Sequence, residues 1–193
     1  MGDWFQSITD LDAEVDEAGP LAESITAWLV SVTVISAERT DCVLGADLGH
    51  PPGPGGSAVV EEPDLLPWGS RTNGVSIHIG RKVFTTVDED SRLVCPGCHR
   101  VGEWRDARGD ESAQAARFSE VLTDWLGGGG SRLDCLGCGL ASRLNDWRWS
   151  GTPWAFAALG LTFWNWPSLR PDFVTEFGHR LGGHRIRSVS GKL

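Results

Sequence analysis

The chain has 193 residues, room for one domain or for one domain with an insert. Apolar residues make up 40% and charged residues 22%, which excludes a disordered or collagen-like chain and leaves a folded globular one. The net charge of −9 is unevenly placed: residues 1–66 hold thirteen acidic residues against Arg39 alone, whereas residues 67–193 hold thirteen acidic and sixteen basic ones. That acidic front third would repel phosphate, so it disfavours nucleic acid as a partner and suits a basic protein surface.

Residues 4–11, Trp-Phe-Gln-Ser-Ile-Thr-Asp-Leu, mix aromatic, β-branched and polar side chains in near alternation and read as a first strand. The acidic run from Asp12 to Glu17 leads to Gly19-Pro20, a turn signal, and a helix is expected from Leu21 to Val30 with Leu21, Ile25, Trp28 and Leu29 on one face. The β-branched run Val32 to Ala37 predicts a second strand, continuing after a break to Cys42-Val43-Leu44. Gly49 to Gly56 is dense in Pro and Gly and reads as a surface loop. Asn73-Gly74 marks a tight turn, and the alternation of Val75, Ile77 and Ile79 with polar residues predicts a half-buried strand to Thr85. That strand would put His78 and Arg81 on opposite faces.

A helix is expected from Glu111 to Leu126, with Ala115, Phe118, Val121, Leu122, Trp125 and Leu126 as its apolar stripe and Gly127 to Gly130 as its stop. Next comes a tryptophan-dense block: Trp147, Trp149, Trp154, Trp164 and Trp166, half of the ten in the chain. Trp147-Arg148-Trp149 would place two rings on one face if extended. Gly160 to Trp164 reads as a strand, and Pro171 suits the first turn of a helix that ends at Gly182-Gly183. His184 to Ser190 reads as a last strand, with Arg185 and Arg187 on an exposed edge. The order strand–helix–strand at both ends is the split β-α-β, or ferredoxin-like, pattern of an α+β body. The expected division is residues 1–92 and 147–193 as its two halves and 93–146 as an inserted lobe. The strand at 75–85 would extend the sheet or lead into the insert.

The strongest motif is Cys95-Pro96-Gly97-Cys98 with Cys135-Leu136-Gly137-Cys138. Two Cys-x-x-Cys pairs supply four soft thiolates, the usual tetrahedral donor set for zinc. The glycines let each turn form and free backbone N–H groups to point at sulfur. Cys95-Pro96-x-Cys98 and Cys135-x-x-Cys138-Gly139 resemble the two knuckles of a zinc ribbon, although the 36 intervening residues exceed a minimal ribbon and hold a helix. The resemblance implies structural Zn2+, because four cysteines leave no coordination position for water. Iron or a redox dithiol is the competing chemistry, and His99 is the only other obvious ligand nearby.

Other chemistry is sparse. Gly-x-Ser-x-Gly, Walker A and His-Glu-x-x-His patterns are absent, and His50, His78, His99, His179 and His184 are scattered. The tryptophan block with Arg132, Arg143 and Arg148 reads either as core with its arginines reaching solvent, or as a surface for a protein partner or a base. Trp147, Arg148, Trp149, Trp154, Trp164 and Trp166 are its candidate contact residues. Paired cysteines without a signal peptide suggest the cytoplasm, and no apolar run suggests a membrane span. Cys42, left over, is expected to be a small buried residue. The reading that fits best is a protein-interaction module with structural zinc: an adaptor, an inhibitor or an immunity-type protein, and not an enzyme. A nucleic-acid-associated protein using Arg180, Arg185, Arg187 and Lys192 comes next, and an enzyme with an unrecognised site last.

Overall fold

A computed structural model describes residues 2–45, 47–86 and 91–193. Its elements in chain order are β1 (Trp4–Asp10), α1 (Val15–Ser31), β2 (Val75–Phe84), β3 (Leu93–Val94), β4 (Val101–Gly102), α2 (Ala113–Leu126), β5 (Arg132–Asp134), β6 (Ala141–Arg143), β7 (Arg148–Trp149), β8 (Ala155–Trp164), α3 (Pro171–Arg180) and β9 (Ile186–Lys192). The chain divides into two compact units, Met1–Phe84 with Ala157–Leu193, and Thr85–Phe156. The fold is mixed α/β, with antiparallel sheets and a few helices.

The first unit is built on a four-stranded sheet of order β2-β8-β1-β9. β8 lies inside that sheet, and all ten of its residues are buried, as a continuous apolar run requires. β1 pairs antiparallel with both β8 and β9. Opposite Thr162 in that register stands Ser7, and their hydroxyls meet at 2.8 Å, which satisfies two polar groups inside the sheet. Ile8, Leu159, Leu161 and Phe163 share one core with Ala22, Ile25 and Leu29 of α1 and Phe173 and Phe177 of α3. Trp28 of α1 stacks on Phe173 of α3 at 5.8 Å, joining the two helices directly.

Three expectations are corrected here. α1 begins at Val15 rather than Leu21. Glu14 and Glu17 form a reciprocal capping box, and Asp16 and Glu17 favour the positive end of the helix, so the acidic run is a helix start and Pro20 falls inside the helix. Val32 to Ala37 is not a strand. Val34 and Ile35 are buried, but the segment makes only an isolated bridge from Ile35 to Pro52, and Thr33 is left-handed with φ 56°. Its β-branched residues signalled burial without a ladder partner, and the strand that follows α1 in the sheet is β2. Gly49 to Gly56 is not a plain surface loop either. Gly49 bridges Thr40 and His50 bridges Val75, Gly53 and Gly56 are buried, and Pro54–Val59 forms a 3-10 helix.

The second unit holds a three-stranded sheet of order β4-β3-β7 and the β5–β6 hairpin. The Oγ of Ser112 caps α2 by accepting from the Ala115 N–H at 3.1 Å. Phe118 of α2 meets Trp104, Trp149, Trp154 and Phe156 at centroid distances of 5.5–6.0 Å, which gives these short strands an aromatic core.

In the first unit the buried carboxylate of Asp10 accepts the N–H groups of Asp12 and Ala13 and meets Nδ1 of His184 at 2.9 Å. That hydrogen bond raises the His184 pKa above its ordinary value. The raised pKa means that protonated His184 stabilises the fold fully below the unfolded value of about 6.5 and loses this effect as pH rises through the folded value. In urea unfolding, the stability gap between wild type and His184→Gln should therefore be widest near pH 5.5 and narrow toward pH 9; a constant gap would contradict this assignment. Phe163→Ala, which empties a fully buried site, should cost about 3–5 kcal/mol in the same assay.

Candidate metal centre

Each cysteine pair sits at the tip of a β-hairpin, β3–β4 for Cys95 and Cys98 and β5–β6 for Cys135 and Cys138. The two tips repeat one backbone pattern. The Cys95 N–H donates to the Arg100 carbonyl at 3.0 Å and the His99 N–H to the Cys95 carbonyl at 3.1 Å. In the second tip the Cys135 N–H donates to Leu140 at 2.9 Å and the Gly139 N–H to Cys135 at 2.8 Å. The residue after the second cysteine must turn left-handed: Gly139 has φ 75°, and His99 takes the same role with φ 58°. The Gly97 and Gly137 N–H groups donate to the Cys95 and Cys135 sulfurs at 3.4 Å. A Cβ at Gly97 would lie 2.7 Å from Leu140, and one at Gly137 2.9 Å from Arg100. Leu140 and Arg100 hold equivalent positions in their hairpins, so the tips interlock as a pseudo-symmetric pair.

All four sulfurs lie within 4.8 Å of one another. Cys95 to Cys138 is 3.8 Å and Cys98 to Cys135 is 3.7 Å, and all four cysteines are free of disulfides. A disulfide needs about 2.0 Å. A tetrahedron with metal–sulfur bonds of about 2.3 Å has edges of about 3.8 Å. The four thiols could hold a metal ion. Burial raises the Cys95 pKa, but the Cys98 and Gly97 N–H groups outweigh it and hold the thiol down to about 7. At Cys98 the Arg100 N–H works downward, while desolvation and the three neighbouring thiols push the group up to about 11. Thiols this close cannot all ionise without a cation among them, which is why such a set suits a metal. Cys95 and Cys135 are buried, and Cys98 and Cys138 face solvent. Among the described residues this is the only group of three or more His, Cys, Asp or Glu side chains placed for a metal, and His99 is not part of it.

The tryptophan block is not one exposed surface. Trp147, Trp164 and Trp166 are buried, and Trp149 and Trp154 are half-buried and stacked at 4.8 Å with an 11° interplanar angle. Trp164 donates to Ser76 Oγ at 3.2 Å and Trp166 to the Asn73 carbonyl at 2.5 Å. Arg148 is the exposed member, because the alternation turns it away from the rings beside it. Arg143 is also exposed, and Arg132 reaches the Ala141 carbonyl at 3.3 Å. Of the basic tail, Arg180 pairs with Glu176 at 2.7 Å, Arg185 with Asp12 at 2.6 Å, and Lys192 lies 5.3 Å over the Trp4 ring. These cations already have partners in the first unit.

The histidines form no set. His78 lies 3.2 Å from Lys82 Nζ, and burial together with that ammonium lowers its pKa to about 4. His179 lies 3.8 Å from Glu176 at the end of α3, and His50 bonds the Ser36 carbonyl. Cys42 is buried against Val43, Trp164 and Phe5. What sequence reasoning missed is the exposure of Leu136 and Leu140, at 58% and 40%, beside the solvent-facing cysteines. For Leu136 the available signal was the spacer length: a two-residue turn between the paired cysteines has no interior in which to hide a leucine.

The metal should act as a fold element of this unit. Added chelator at neutral pH is expected to raise hydrogen exchange across 93–146, with recovery on adding metal back. Identical exchange with and without chelator would show that the thiols hold no structural ion. No protein-family model, curated protein or solved structure matches this chain.

Proposed function

We propose that the chain is a protein-interaction module, of adaptor, inhibitor or immunity type, in which the four cysteines hold a structural zinc ion. The observation that carries this reading is the complete four-sulfur shell at the tips of two interlocked hairpins. Four protein ligands leave no open position for substrate, so the metal serves to present a surface. Zinc is favoured over iron as the common closed-shell occupant of such a site, and free thiols in number suit a reducing, cytoplasmic setting. The β3–β4 and β5–β6 hairpins that carry the cysteines support a zinc-ribbon-like lobe over 93–146. The order β2-β8-β1-β9, with α1 and α3 as the connections after β1 and β8, supports a ferredoxin-like reading of the body.

The contact surface is placed at the hairpin tips. Leu136 and Leu140 are large apolar side chains exposed next to Cys138, and apolar residues on a metal-stiffened turn bind with little ordering cost. The partner is a protein, with the acidic first turn of α1 (Asp16, Glu17) favouring one of basic character. Replacing Leu136, the more exposed of the two and not packed on the opposite tip's glycine, by Asp should leave metal content at one ion per chain and weaken a partner isolated from the native host at least about tenfold. Retention of the partner by that variant would overturn the placement. Elemental analysis decides between zinc and iron. Steeply salt-dependent binding of nucleic acid would favour the second reading.

A further inference from the structure

The first unit carries a cleft of about 480 Å3 between α1, β2 and the stretches 37–39 and 48–50. Ala22, Val30 and Ile77 line it, with Leu48 and Ile79 exposed at its mouth. The volume is that of a small-molecule pocket, and the lining is mostly aliphatic. One polar side chain sets it apart from a mere gap between elements. His50 lines the cleft while only 8% exposed. Its Nδ1 lies 2.8 Å from the Ser36 carbonyl. A carbonyl can only accept, so Nδ1 carries the proton, and in the neutral ring Nε2 keeps a lone pair. Nε2 has no partner among the described residues, and it is not among the polar atoms sealed from solvent. The backbone fixes the ring in place: Gly49 fits tightly against Val43 and Val75, and His50 exchanges both backbone bonds with Val75 at 2.9 and 2.8 Å.

The other polar groups define the ligand by what they withhold. Thr26 gives its hydroxyl proton to the Ala22 carbonyl at 2.6 Å. Arg39 directs Nε and Nη2 to the Leu48 carbonyl. Glu23 and Arg39 on the lining carry opposite charges, so the cleft favours no net charge. We infer that this cleft binds a small, neutral, largely apolar molecule that presents one hydroxyl or N–H donor to Nε2 of His50. An unmet acceptor in apolar surroundings selects for a donor, because a ligand without one leaves it desolvated and unpaired. This site is independent of the metal centre and of the interaction reading above.

Two probes of one shape test it: 2-naphthol, which donates, and 2-methoxynaphthalene, which cannot. Binding to the full chain is followed by NMR through the Ile77, Ile79 and Val30 methyl groups and by calorimetry. The expected result is binding of both at this cleft, with 2-naphthol about two- to tenfold tighter. His50→Phe keeps a ring of similar shape and removes the Nε2 acceptor, so it should abolish the difference while both probes still bind. Ile79→Glu, at the exposed mouth, should weaken both probes without disturbing the fold. Equal affinities in the wild type, a difference that survives His50→Phe in a variant whose methyl spectrum shows it folded, or shifts confined to other methyl groups would each overturn the assignment.

Discussion

Four sulfur atoms within 4.8 Å of one another mark the point on which the second unit converges. Its strands are two or three residues long, too short to hold a sheet by backbone ladders. The two hairpin tips meet where Cys95, Cys98, Cys135 and Cys138 converge. The glycines at 97 and 137 follow from that convergence, since each lies under a side chain of the opposite tip. So do the left-handed residues at 99 and 139, which turn each chain back into its hairpin. The unit also has the rings around Phe118, which α2 presents through its apolar stripe.

The first unit solves a different problem. Its core rests on β8, buried along its whole length, and on two helices whose apolar faces meet through Trp28 and Phe173. Buried polar groups in it are met locally: Ser7 by Thr162, Asp10 by two backbone N–H groups and His184. His50, which lines the cleft, is the departure: Nδ1 is anchored on Ser36 and Nε2 has no partner among the described residues. A fold that pairs its other interior polar groups this closely makes an open acceptor in an aliphatic pocket a feature of recognition rather than of packing.

Where sequence reasoning succeeded, the signal was local. The Cys-x-Gly-Cys turns, the alternation that made β2, the apolar stripe of α2 and Pro171 at the start of α3 depend on neighbours within a few residues. Where it failed, a distant partner decided. Val32 to Ala37 had the composition of a strand but no strand beside it. Gly49 to Gly56 looked like loose connection, yet it is pinned to Thr40, Val75 and Ile35. The acidic run before Pro20 reads as a lead into a turn because the Gly19-Pro20 signal outweighs a capping box made of two glutamates, which is weaker in composition than in geometry.

The tryptophans show the division most clearly. Alternation around Arg148 predicted that Trp147 and Trp149 share a face, a statement about backbone pleat alone. It could not tell whether the face looked inward, because burial is a property of what packs against it, and Trp147, Trp164 and Trp166 proved to be interior. The sequence by itself determined the four paired cysteines, the turns that carry them and most of the long elements. Only the tertiary structure decided that the four sulfurs gather within 4.8 Å, that leucines rather than tryptophans flank them in solvent, and that His50 lines a cleft. Those facts arise from contacts across tens of residues, and no local pattern encodes them.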